Sequence, residues 1–209
     1  MEGHIGVDES GKGDYFGPLV IAACYVGPEH LAELDGVKDS KKLTDPMAMR
    51  LAQAIKATCP HKVIVVSPER YNEMYARTPN LNQLLAWAHA ECIVEVLKLH
   101  PSSYAISDEF AKGGHLVREK LQRKGATIEL RSAVRAESDI AVAAASILAR
   151  AAFLYKLRDL GQEIGIDLPK GATTVIGVGK RVVAIHGRAG LGRVAKLHFK
   201  TTKQVLGEA

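Results

Sequence analysis

His4-Ile5-Gly6-Val7-Asp8-Glu9-Ser10-Gly11-Lys12-Gly13 sets an apolar strand, two adjacent acids and a glycine turn into ten residues. Pro18 to Val26 is a second apolar run, so the stretch reads as a hairpin that returns through Gly11-Lys12-Gly13. Side chains alternate across a strand. Asp8 and Glu9 therefore point to opposite faces, and one of them turns towards the core side, where it needs a cationic partner. A metal ion is the simplest such partner. Gly11-x-Gly13-x-x-x-Gly17 has a superficial likeness to a dinucleotide fingerprint, but two carboxylates precede it and a strand, not a helix, follows. An ordinary glycine hairpin carrying surface acids is the competing reading.

Further along, Asp45 to Thr58 has helical character, Lys62 to Val66 is a β-branched strand and Asn80 to Leu99 is a long helix. After Pro101, Tyr104 to Ile106 reads as a strand ending at Asp108, and Thr127 to Leu130 as another. Ser138, a candidate N-cap, opens a helix to about Leu160 that is apolar nearly all round from Ile140 to Ala149, the pattern of a buried helix. Antiparallel strands followed by alternating strand and helix predict a mixed α/β sheet with helices on its faces. Sites in such sheets gather at the carboxyl ends of strands. Asp108 lies at one, and Glu137, just before the buried helix, can join it there with Asp8 and Glu9. Four gathered carboxylates repel one another, and hard divalent cations neutralise them. A pair of metals ~3.5–4 Å apart clamps a phosphodiester for in-line attack by water.

The 209 residues, 47% hydrophobic and 24% charged, suit one soluble domain and exclude a disordered or fibrous chain. The longest apolar runs, Leu19 to Val26 and Ile140 to Ala149, are shorter than the ~20 residues that cross a bilayer. Acidic Glu2 and glycines stand where a signal peptide would begin, which predicts a cytoplasmic protein without a membrane partner. Cys24, Cys59 and Cys92 form no C-x-x-C pair and are odd in number, as expected of reduced, buried thiols. The net charge is +5, unevenly spread: residues 169–209 hold eight Lys/Arg against one acid. This basic C-terminal region fits a polyanionic partner, since closely spaced cations displace counterions from a nucleic-acid backbone, and equally fits a solvated helical face.

Several separated motifs share one resemblance. Asp8 to Val20, Asp39-Ser40-Lys41-Lys42-Leu43, Ala136 to Arg150, Leu168-Pro169-Lys170-Gly171-Ala172 and Lys196-Leu197-His198-Phe199 together resemble the type 2 ribonucleases H, ribonuclease HIII most of all, from about Gly3 to Lys203. The resemblance implies a ribonuclease H-like fold, a mixed five-stranded sheet with helices on both faces, in a single catalytic domain over 1–209. It implies two-metal hydrolysis of the RNA strand of RNA/DNA hybrids, with Mg²⁺ or Mn²⁺, leaving 5′-phosphate and 3′-hydroxyl ends. The family's four metal-holding acids map onto Asp8, Glu9, Asp108 and Glu137, Asp8 bridging both ions; glutamate at the fourth place is what favours HIII. Gly11, Lys12 and Gly13 would approach the RNA backbone, where glycines let main-chain groups reach the 2′-hydroxyl. Lys41, Lys42, Lys170 and Lys196 look similar to substrate-contacting positions, although Asp39-Ser40-Lys41-Lys42 is also an ordinary exposed turn.

Other residues have blander readings. Asn80-x-x-Gln83 at a helix start is a capping box, Asp139 a first-turn acid favoured by the helix dipole, and Ser146 a packed, back-bonded hydroxyl. His89, His115 and His198 lack metal-type spacing, and the role of His198 within its motif is open. Enzymes of the HIII kind carry an N-terminal platform domain, whereas here the first strand begins within a few residues of Met1. The domain is expected to be absent or removed, with the C-terminal cations supplying hybrid affinity in its place. No protein partner is evident. In HII enzymes a tyrosine follows the lysine and glycine matched by Lys170-Gly171; Ala172 stands there instead, which predicts cleavage within runs of RNA and poor incision at a single ribonucleotide. HII-like incision and non-catalytic nucleic-acid binding are the alternatives.

Overall fold

The computed structural model describes residues 2–37, 43–108, 114–133 and 136–208. Its sheet has five strands, β1 (His4–Ser10), β2 (Leu19–Val26), β3 (His61–Val66), β4 (Tyr104–Asp108) and β5 (Glu129–Ala133), in the order β3-β2-β1-β4-β5. β1 and β4 run parallel, with Ile5, Gly6 and Val7 opposite Ala105, Ile106 and Ser107. β4 and β5 are also parallel. The link from β1 to its neighbour β2 is too short for a parallel crossover, so the sheet is mixed, as the sequence predicts.

Seven helices are described: α1 (Asp45–Thr58), α2 (Pro68–Arg77), α3 (Leu81–Leu99), α4 (Gly114–Arg123), α5 (Ile140–Ile164), α6 (Ile176–Val194) and α7 (Thr201–Leu206). α1 begins where Thr44 accepts a hydrogen bond from the Met47 N–H, with Pro46 inside the first turn, where its missing N–H costs nothing. α6 is broken at Gly187, whose φ of +68° is left-handed.

Two compact units emerge, one of residues 1–9, 21–64 and 80–151 and the other of residues 10–20, 65–79 and 152–209. In the first unit the pleat of β1 sorts its neighbours. Gly6 lies under the start of α5, where a Cβ would come within 2.1 Å of the Ala141 carbonyl carbon, so no larger residue fits. Asp8, two residues on and on the same face, hydrogen-bonds Ser146 of α5, while Glu9 on the other face meets His89 of α3. α3 and α5 therefore cover opposite faces of the strand, and Ile5, Val7, Ala105, Ile93, Val96, Ala144 and Leu148 are buried with them. α5 is apolar and long enough to cross a bilayer, yet its most apolar window is mostly buried within the protein. Cys24, Cys59 and Cys92 are free and buried.

In the second unit the Gly11–Gly17 loop is tied to C-terminal segments through its main chain. Asp14 accepts from the Gly171 N–H at 2.7 Å, the Tyr15 N–H donates to Gly171 O, and the Gly17 N–H donates to Val194 O. Phe16 forms a bridge with Ala195. Asn72 of α2 adds bonds to Gly192 O, Ala195 O and the Leu197 N–H.

Candidate active site

The register of β1 against β4 brings two expected acids side by side. Val7 faces Ser107, so one residue further along the parallel strands Asp8 and Asp108 stand as neighbours at the carboxyl ends, across a strand spacing of ~4.8 Å. Glu9 follows Asp8, and Glu137 sits in the 3₁₀ turn Ala136–Ser138, which packs on β4. The main chain thus places all four acids in the first unit, three of them on β1 and β4. The side chains of Asp108 and Glu137 lie outside the described part. Among the described side chains, no group of three His, Cys, Asp or Glu is gathered as a metal site.

Asp8 carries the electrostatic signature of the site. Burial, reinforced by the charge of Glu9, pushes its carboxyl up to about 6, against the Glu9 N–H at 2.8 Å, the Ser146 hydroxyl and His89, which all favour the ionised form. A half-buried pair of hard carboxylates that disfavour each other's charge is a donor set suited to a divalent cation. His89 is fully buried on α3, with Nε2 3.1 Å from Glu9 Oε2 and Nδ1 3.4 Å from Ser107 Oγ.

Asp139, two residues beyond Glu137, does something different. Its Oδ1 accepts from the Ala141 and Val142 N–H groups and its Oδ2 lies 2.8 Å from His4 Nε2. Burial alone would raise this carboxyl, but the His4 bond and the helix N–H donors hold it below the usual aspartate value. The N-cap of α5 is therefore Asp139 and not Ser138, which is exposed in the preceding turn. Asn80 caps α3, accepting from the Asn82 and Gln83 N–H groups. Ser146 is not back-bonded as its setting among alanines predicts, since its hydroxyl reaches Asp8.

The expected substrate-binding residues divide three ways. Gly11 is buried with φ +85°, and a Cβ there would strike Pro18 O at 2.2 Å, so the turn requires glycine; Lys12 and Gly13 are exposed. Lys170 is exposed and adjoins Gly171, which is bonded to Asp14 and Tyr15 of the same loop, so Lys12 and Lys170 ride on one tied assembly. Lys41 and Lys42 lie outside the described residues. Lys196 is a correction: it is fully buried, its Nζ donates to Gly17 O at 2.6 Å, and burial pushes its ammonium down to about 7. It secures the end of the glycine loop and offers nothing to a phosphate at the surface. The continuous basic face is also interrupted, because Arg188 pairs with Glu208 and Arg193 with Glu163 and Glu69. Lys180, Arg181, Lys200 and Lys203 are exposed.

The sequence reading names His89 and Ser146 but misses their contacts with Glu9 and Asp8. The available signal was a lone polar residue on each otherwise apolar helix face: Leu85, His89, Cys92 and Val96 form one buried stripe on α3.

Comparison with known proteins shows the family and the fold. A family model described as Ribonuclease HII matches residues 5–202. The chain is 44% identical over 211 residues to the ribonuclease HIII of Chlamydia felis, covering 98% of this chain and 70% of that protein. The crystal structure of Bst-RNase HIII in complex with Mn²⁺ superposes with a TM-score of 0.91 at 38% identity, covering 99% of this chain and 70% of that one. Aquifex aeolicus RNase H3 superposes with a TM-score of 0.78 at 29% identity, over 94% and 72% of the respective chains.

Proposed function

Because the chain belongs to the ribonuclease HII family, and matches ribonucleases HIII along nearly its whole length, we propose that it is a metal-dependent endoribonuclease cutting the RNA strand of RNA/DNA hybrids. The observation that supports this reading is the Val7–Ser107 register, which sets the next residues, Asp8 and Asp108, at adjacent strand ends, with Asp8 disfavoured as a free carboxylate. Asp8, Glu9, Asp108 and Glu137 would hold two divalent ions, Mg²⁺ or Mn²⁺. When bound, such ions supply an activated water and neutralise charge on the attacked phosphate, leaving 5′-phosphate and 3′-hydroxyl ends.

The protein's own residues do the rest. Ser146 and the Glu9 N–H orient the Asp8 carboxylate, so its direction is fixed before any ion arrives. Gly11 shapes the turn and Gly13, exposed with open space where a side chain would stand, allows close approach of main chain to a ribose, while Lys12 and Lys170 meet phosphates. Lys41, Lys42 and the exposed Lys200 and Lys203 extend that contact. Buried, free thiols accord with a cytoplasmic setting. Ala172 offers only a methyl where a tyrosine would pack at an RNA–DNA junction, which favours runs of RNA over a single ribonucleotide. The test is cleavage of a uniform hybrid and of a duplex with one ribonucleotide, each with Mg²⁺ or Mn²⁺. Multiple cuts in the hybrid and little incision of the second are expected; equal rates would move the assignment to HII-like incision, and no cleavage of either to nucleic-acid binding alone.

A further inference from the structure

His89 is an unusual residue to bury. It is fully enclosed on the inner face of α3, among Leu85, Cys92, Ile93 and Val96, where a leucine would pack without any demand for partners. Its two nitrogens meet two different strands: Nε2 lies 3.1 Å from Glu9 Oε2 at the end of β1, and Nδ1 lies 3.4 Å from Ser107 Oγ, the residue before Asp108 on β4. An ionised carboxylate only accepts, so Nε2–H donates to Glu9, and Nδ1 lies within hydrogen-bond reach of the Ser107 hydroxyl.

We infer that His89 is a positioning residue for metal binding, fixing the rotamer of Glu9 through Nε2–H and linking it by way of Ser107 to the strand that carries Asp108. The inference rests on Glu9 holding a metal ion as proposed above. Its physical basis is that carboxylate ligands are themselves hydrogen-bonded, so that the ion meets an oxygen already aimed and does not have to order a freely rotating side chain. Glu9 has three side-chain torsions to fix, while Asp8, one methylene shorter, is oriented by the Glu9 N–H and Ser146. The two acids are thus held from opposite faces of β1, Asp8 from α5 and Glu9 from α3.

The experiment is titration calorimetry of Mn²⁺ into the full chain without nucleic acid, for the wild type and the His89→Leu, His89→Gln and Glu9→Gln variants. His89→Leu should weaken Mn²⁺ binding ~10–100-fold. His89→Gln, whose amide can donate from nearly the Nε2 position, should restore most of that loss. Retained Mn²⁺ affinity in a folded His89→Leu protein would overturn the inference, as would a His89→Gln variant no better than His89→Leu, since packing alone would then explain the residue. Glu9→Gln separates the two claims: if it binds Mn²⁺ like the wild type, the placement of the metal at Glu9 fails, whereas a weakened Glu9→Gln beside an unaffected His89→Leu sinks only the role of His89. Should His89→Leu not fold, ¹⁵N-histidine spectra of the wild type decide. The Nε2-protonated tautomer, with a resonance that moves on Mg²⁺ addition, is expected; the Nδ1-protonated tautomer would overturn the inference.

Discussion

Asp8 and Lys196 are both charged side chains held against main chain, one in each compact unit, and they show how different a buried charge can be in its consequences. Asp8 accepts from the Glu9 N–H and Ser146, with His89 also favouring its charge, but its burial and the charge of Glu9 beside it outweigh them. Its surroundings therefore leave a demand for positive charge. Lys196 donates to the Gly17 carbonyl and is enclosed by Tyr71 and the bridge between Phe16 and Ala195, with Asp14 the one acid that favours its charge. That lysine is used up in holding a loop. A site is distinguished from a structural tether by what its neighbours leave unbalanced, and not by the presence of a charge.

The sharpest way to break that comparison is Asp8→Asn. Cleavage of hybrid should fall below detection with either metal, while the melting temperature stays at or above that of the wild type, because a buried carboxylate beside Glu9 is replaced by a neutral isostere. Residual activity near the wild-type rate would remove Asp8 from the site. A large loss of stability would instead put it with Lys196 among the structural charges.

Lys196→Met tests the other side through pH. The folded-state ammonium has a value of about 7, below the 10.5 of an unfolded chain, so between those values the unfolded state binds more protons and stability rises with pH. This increment is fully present above about 10.5 and is lost as the pH falls through 7. In urea unfolding followed from pH 6 to 10, the wild type should gain stability relative to Lys196→Met as the pH rises, and the salt dependence of hybrid binding should be the same in both. Parallel stability curves would mean that Lys196 keeps its charge in the fold.

The same contrast explains what could be read from the sequence. β1, α1 and the acids at strand ends follow from local pattern, because period-two alternation and a Thr44-Asp45-Pro46 start are signals carried by neighbours in the chain. The basic C-terminal region was legible as charge but not as surface. Nothing in Lys196-Leu197-His198-Phe199 announces that its lysine turns inward to a carbonyl 179 residues away. α6 was hidden for a propensity reason, since glycines at 177, 179, 187, 190 and 192 weaken any helical reading, and Gly179 is needed because a Cβ would meet Val205 of α7 at 2.5 Å. β5 is displaced two to three residues from the expected Thr127 to Leu130, its register being set by β4.

A smaller effect should come from Asp139, the acid nearest the site in sequence that serves the fold. Asp139→Ala removes the cap on the Ala141 and Val142 N–H groups and the His4 contact, and should cost ~1–2 kcal/mol in denaturant unfolding while leaving hybrid cleavage close to the wild-type rate. Glu137→Gln should do the reverse. If Asp139→Ala abolished cleavage and Glu137→Gln did not, the fourth ligand would be Asp139.

The least effect is expected at the exposed lysines, and it sharpens the distinction between surface and tether within one motif region. Lys200 and Lys203 are exposed on either side of the start of α7, only a few residues from the buried Lys196. If they contact phosphates, each substitution by glutamine should lower the slope of log affinity against log salt by ~0.7–0.9, through the counterions no longer released, with no change in melting temperature. At any one salt concentration the loss is only a fewfold, which is why the slope and not a single affinity is the informative measurement. Arg188 and Arg193, already engaged by Glu208 and by Glu163 with Glu69, should give smaller changes, since breaking an exposed ion pair to meet a phosphate returns part of what the new contact gains. Equal slopes for all four variants and the wild type would assign the whole basic region to solvation, leaving the glycine turn and Lys170 to hold the substrate.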